Sequence, residues 1–251
     1  SNREKIEKET EIEEYEEEET EEKRKEEFSK KFPRINKIPV LRSFVRWMYK
    51  EGWFYSLSLI IITSHGLILR LFQAGKQSLW IDEIYSFNAI NAILHKGIPM
   101  FDSGFIYYRE IVYSYLVSFF VIMFGQSEII LRLCSILFGS ISIIFFYFLL
   151  KKIYLKQTAI FGSFLFSILH TQIVYSRLSR FYIFNQFLFI IFLSIFYSII
   201  NTKKVSTRLY LLLIIFTLLL LITSNTNLVL IGPMFCFLLF LRIIICLKLF
   251  Q

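Results

Sequence analysis

Residues 53–72 read WFYSLSLIIITSHGLILRLF. Arg70 is the only fixed charge in this run, and a helix rising 1.5 Å per residue would carry it across about 30 Å, the hydrocarbon thickness of a bilayer. The same signal recurs at about 111–125, 129–150, 157–176, 181–200, 207–224 and 227–249, in a chain that is 55% hydrophobic and holds 29 Phe. A soluble domain is less apolar and more evenly charged. The fold class that follows is all-α: a polytopic transmembrane helix bundle.

Charge divides the rest of the chain. Residues 1–27 hold 14 of the 20 acidic residues, all Glu, and six of the 28 Lys and Arg, so a tail of −8 precedes a body of +16. The tail has no apolar stripe to pack and reads as disordered low complexity. Residues 28–52 form a basic juxtamembrane segment with Lys30, Lys31, Arg34, Lys37, Arg42, Arg46 and Lys50. Cations at that position place the N-terminus in the cytoplasm, with Trp47, Trp53 and Tyr55 as an interfacial belt. Residues 53–251 are then a multi-span membrane domain. The absence of an initiator Met and the end at an apolar run read as a fragment truncated at the C-terminus. The body's cations flank apolar runs and form no polar face, which excludes a nucleic-acid partner. Cys134, Cys236 and Cys246 have no metal-type spacing and read as small buried hydrophobes.

Residues 73–109 are the longest polar interruption and, by this orientation, the first extracytoplasmic loop. Phe87, Ile90 and Leu94 share one face of a short juxtamembrane helix lying on the membrane surface, and Gly97 and Pro99 would end it. Topology downstream is open. If every segment crosses, the cations at 151–156 fall outside, against the positive-inside tendency. If one segment between 110 and 176 is short, re-entrant or interfacial, Arg177 and Arg180 share a side with Asp82. We adopt the second arrangement.

Three clusters could carry chemistry. Asp82 and Glu83, in SLWIDE at 78–83, adjoin an aromatic-apolar run where poor solvation can make a carboxylate a usable base. They are also the residues that could hold a divalent metal. The bland alternative is a solvated pair, with Asp82 capping the next helix. Arg177 and Arg180, in YSRLSRFY at 175–182, lie three apart on one helical face between apolar runs. Guanidinium forks suit a phosphate, and snorkelling at a helix end competes with that reading. Arg109, in YYRE at 107–110, is a weaker phosphate candidate, set against a local Arg109–Glu110 pair in an aromatic belt. Glu128 and Arg132 read as an i,i+4 structural pair. His65 and His170 read as satisfied buried histidines.

In order, SLWIDEIYSF (78–87), YYREIVYSYLVSFFVIMFGQSEIILRLCSILFG (107–139) and HTQIVYSRLSRFY (170–182) resemble the GT-C superfamily of polytopic glycosyltransferases, near the protein O-mannosyltransferase and glycosyltransferase family 39 group. The resemblance covers a little under half of the chain. It implies a GT-C-like bundle whose first extracytoplasmic loop brings an acid, here Asp82 beside Glu83, to the catalytic centre. It implies a polyprenyl- or dolichyl-phosphate sugar donor whose phosphate meets Arg177, Arg180 and Tyr182, with Arg109 matching an arginine after paired tyrosines. It also implies inversion at the anomeric carbon. Two prolines usual in relatives are missing, near residues 103–106 and near Leu169 and His170.

The expected activity is hexosyl transfer, with mannose a candidate sugar, to a protein, lipid or glycan hydroxyl at the extracytoplasmic face of the cell membrane. No cofactor is required. Two other classes compete: a transporter or flippase of a lipid-linked or anionic substrate, using the same arginines but showing no internal repeat here, and a non-catalytic membrane subunit indifferent to Asp82.

Overall fold

The structure, a computed structural model, describes residues 39–202 and 205–249. The Glu-rich tail at 1–27, Lys30, Lys31, Arg34, Lys37, Lys203 and Lys204 lie outside the described residues, as does the side chain of Cys246. Among the described residues ten helices follow in order: α1 Pro39–Glu51, α2 Trp53–Leu71, α3 Ile81–Lys96, α4 Ile111–Phe124, α5 Glu128–Ile153, α6 Lys156–Ile168, α7 His170–Ser176, α8 Tyr182–Asn201, α9 Thr207–Thr223 and α10 Asn227–Leu249. Among the described residues, extended pairing is limited to one bridge between Met100 and Ile106. The all-α, polytopic expectation holds.

The chain divides into two compact units, residues 1–58 and 59–251. In the first, α1 adds a helix where the sequence shows only a basic juxtamembrane stretch. It ends at Gly52, whose φ of 102° closes the turn into α2, a backbone conformation that costs glycine little.

In the second unit, α5 is the central helix, packed by α4, α6, α7 and α8. Tyr113, Val117, Leu131, Cys134, Phe184, Leu188 and Phe192 form the middle of the buried core. Cys134 is buried as expected, whereas Cys236 is exposed. Helix α3 ends at Gly97 in the left-handed conformation, its N–H returning to the Ile93 carbonyl. Phe87, Ile90 and Leu94 share a face, and that face packs on the protein core.

Among the described residues three helices are long and apolar enough to cross a membrane: α2, α5 and α8. Helices α4, α9 and the stretch Asn227–Leu238 of α10 are apolar but shorter. The segment at 157–176 is a broken one: α6 and α7 meet at 56°. Leu169, at φ −59° and ψ 122°, leaves helical geometry there with no proline at the break. Such a break strips carbonyls of their helical partners. Arg70, fully buried on α2, takes up the loss: its Nη1 donates to the Ser167 carbonyl at 3.1 Å and its Nε to Ser176 Oγ at 3.1 Å. Close approach depends on Gly139 of α5, where an added Cβ would collide with Ser176 Oγ and sit 3.0 Å from Arg70 Nε.

Candidate active site

Two buried ion pairs build the site. The first joins α3 to α5. Arg132, 2% exposed, donates from Nε to Glu83 Oε1 at 3.0 Å and from Nη2 to Oε2 at 2.9 Å. Its remaining donors reach the carbonyls of Ala74 (2.6 Å), Gln77 (2.8 Å) and Ser78 (3.2 Å), tying down the strand of loop that leads into α3. Glu83 also accepts from the backbone N–H of Trp80 at 3.0 Å and of Ser179 at 2.7 Å. The helix cap is Trp80, with Glu83 reaching back to it, so Asp82 does not serve as the cap. The i,i+4 pairing of Glu128 with Arg132 is corrected as well. Such pairs yield a few tenths of a kcal/mol on a wet surface, and here a bidentate carboxylate and three carbonyls draw the guanidinium inward.

The second pair joins the start of α4 to the turn before α8. Glu110, fully buried, sits in the left-handed region at φ 55° and aims its carboxylate at Arg180, whose Nη1 lies 2.6 Å from Oε1. Ser86 Oγ and Tyr107 OH each donate to the same oxygen at 2.9 Å, and the Phe181 N–H donates to Oε2 at 3.2 Å. Arg180 Nη1 also approaches the Asp82 carbonyl, Ser86 Oγ and Tyr107 OH within 3.2 Å. A guanidinium nitrogen carries two hydrogens, so four acceptors compete and the carboxylate holds the shortest bond.

Electrostatics differ between the two acids. Burial disfavours the charge on Glu83, but Arg132 and the Ser179 and Trp80 N–H groups outweigh it and hold its carboxyl below the usual range. At Glu110 burial dominates over Arg180 and the hydroxyls, and the carboxyl is pushed up. Tyr107 is also raised, by burial and then by the Glu110 charge.

Adjacent residues on a helix point about 100° apart. Both acids border a cavity of about 570 Å³, but Glu83 turns inward to Arg132 while the Asp82 carboxylate meets no partner among the described residues. Arg180 and Tyr182 line the same cavity, with the Arg180 guanidinium 5.6 Å from the Tyr182 ring centre. Trp80, Tyr175, Leu178 and Ile183 supply apolar wall, and Thr171, Gln172 and Gln186 neutral polar groups.

Of the residues singled out from sequence, Asp82, Glu83, Arg180 and Tyr182 come together. Arg177 and Arg109 do not line the cavity. Residues 177–181 form a turn, so the two arginines share no helical face: Arg177 donates to the Leu69 carbonyl at the end of α2. Arg109 is exposed. Glu83 has both oxygens committed to Arg132, which leaves Asp82 as the free acid of the pair. Among the described residues no three His, Cys, Asp or Glu side chains gather as a metal site. With Glu83 so occupied, the residues present do not form a divalent donor set. Sequence reading missed Ser86 altogether and gave Glu110 and Arg132 only local partners, Arg109 and Glu128, in place of Arg180 and Glu83. The available signal was scarcity: only six acids stand in the basic body, and three of them, Glu51, Glu83 and Glu110, are buried.

Long apolar helices, and a cavity that brings a free carboxylate and a guanidinium together, define a membrane protein with a charged internal site. Residues 109–250 match the family model described as dolichyl-phosphate-mannose-protein mannosyltransferase. The chain belongs to that family, a family of membrane glycosyltransferases. No curated protein and no solved structure matches it. Asp82 and Glu83 precede the matched segment, and nothing in the comparisons supports a transporter.

Proposed function

We propose that the chain transfers a hexose, mannose by the family's description, from a polyprenyl- or dolichyl-phosphate to an acceptor hydroxyl at the extracytoplasmic face. One observation carries this reading: the Asp82 carboxylate and the Arg180 guanidinium face one cavity. In the proposed step Asp82 removes the acceptor's proton as its oxygen attacks the anomeric carbon. The bond from that carbon to the phosphate oxygen breaks, and the lipid phosphate leaves with the electron pair, inverting the centre. Arg180 and the Tyr182 hydroxyl stand where charge grows on the leaving group, the placement that lowers such barriers most. Glu83 and Glu110 act as positioning residues: one fixes the turn carrying Asp82, the other fixes Arg180. Arg177 and Arg109, away from the cavity, are assigned no direct contact.

The test is transfer of labelled mannose from its polyprenyl phosphate in membranes carrying the full chain. Asp82→Asn should lower turnover about 10²–10⁴-fold, the usual share of a general base, with membrane insertion unchanged. Arg180→Ala should lower it about 10²–10³-fold. Wild-type rates in Asp82→Asn would remove Asp82 from the mechanism.

A further inference from the structure

Charged groups account for only part of the cavity. Its remaining polar lining is neutral: Gln172 on α7, Gln186 on α8 and the Thr171 hydroxyl. Neither glutamine side chain bonds to any described residue, and Gln172 Oε1 is buried without a partner. Polar groups withheld from water are normally satisfied, and one left open beside a cavity is short of a partner that a ligand can bring. The two amides stand on the helices flanking the turn that carries Arg180. They therefore border the position next to the leaving phosphate. A side-chain amide offers both a donor and an acceptor, which matches a sugar hydroxyl, itself both. The rings of Tyr175 and Tyr182, 5.5 Å apart and edge to face, complete a wall suited to the less polar face of a pyranose.

We propose that Gln172 and Gln186 read the hydroxyl groups of the transferred hexose and so set which lipid-linked sugar the enzyme accepts. This rests on the transferase reading above. A lone cation and a lone carboxylate fix where a phosphate and an acceptor proton go but do not distinguish one hexose from another. Directional groups at the ring hydroxyls do, because a donor lacking a hydroxyl leaves an amide buried and unpaired.

The experiment uses the full chain in membranes, with polyprenyl-phosphate mannose and its 2-, 3-, 4- and 6-deoxy analogues as donors. Wild type, Gln172→Ala, Gln186→Ala and the isosteric Gln172→Glu and Gln186→Glu are compared. Each alanine variant should lose roughly tenfold in kcat/KM on the parent donor, the size of one or two hydrogen bonds. On one particular deoxy analogue the same variant should lose less than threefold, because the bond is already gone. Unchanged kcat/KM in both alanine variants, an equal loss on every donor, or a loss that follows the acceptor and not the sugar would overturn the assignment while leaving the transferase reading intact. Absence of transfer from every donor by correctly inserted wild type would overturn both. An alanine variant that fails to insert is replaced by its glutamate counterpart, whose altered ranking of the deoxy donors is the equivalent readout.

Discussion

Glu83→Gln separates the charge of the larger ion pair from its shape. In the wild type two Arg132 nitrogens meet two Glu83 oxygens at 3.0 and 2.9 Å, both residues being almost wholly buried. Glutamine keeps one acceptor oxygen, but its NH₂ faces Arg132 together with the N–H of Ser179 or of Trp80, all donors, and cannot bond them. Removing one partner of a buried pair costs about 3–5 kcal/mol, chiefly because the other charge is stranded. Arg132 keeps the carbonyls of Ala74, Gln77 and Ser78, which holds the loss near the lower figure, about 3 kcal/mol. At about 2–4 °C per kcal/mol for a domain of this size, the melting midpoint should fall roughly 6–12 °C. The assay is thermal unfolding of the detergent-purified protein, followed by tryptophan fluorescence. Removing both charges in Glu83→Gln with Arg132→Met strands no charge but also frees the carbonyls of Ala74, Gln77 and Ser78, so it should recover only part of the loss. A single variant melting within 2 °C of wild type, or a double variant no better than the single, would refute the reasoning.

Three further outcomes are expected. Since the Glu83 carboxyl is held below its usual 4.5, its ionised form stabilises the fold above that pH and the contribution fades as pH falls through the depressed value; the acid limb of a pH–stability curve should flatten in Glu83→Gln. In Glu110→Gln the counter-charge on Arg180 disappears while its orienting bond weakens, so donor KM should fall severalfold and kcat roughly tenfold, a split that steady-state kinetics would reveal. Gly139→Ala should destabilise by about 1–3 kcal/mol through overpacking against Ser176 and Arg70, visible as a lower melting midpoint with donor KM unchanged.

Hydropathy and helix punctuation made much of the architecture legible. The run 53–72 became Trp53–Leu71, and Gly97 ended α3 where expected. Composition could not show the bend at Leu169, because both halves are apolar and no proline marks it. Pairing partners were hidden for a related reason. Local spacing put Arg132 with Glu128 and Arg109 with Glu110, whereas tertiary burial joins Arg132 to Glu83 and Arg180 to Glu110. A charge inside a bundle takes the acid that shares its dry environment, and adjacency along the chain does not reveal that environment. Asp82 and Arg180 were legible as candidates because each stands at the edge of an apolar run. The neutral amides were not, since a glutamine in a span gives no comparable signal.

The distances along the chain between these partners have a bearing on how the protein is made. Arg70 waits 97 residues for the Ser167 carbonyl, Glu83 49 residues for Arg132, and Glu110 70 residues for Arg180. At a ribosomal pace of about 5–20 residues per second, the interval for Arg70 is roughly 5–20 s. A newly inserted α2 therefore enters the bilayer with a guanidinium that nothing yet neutralises and that has only the Gly66 carbonyl of its own helix, 2.9 Å from Nη1, to bond. Its place one residue from the end of α2 lets it stay at the headgroup level until α6 and α7 arrive to draw it inward.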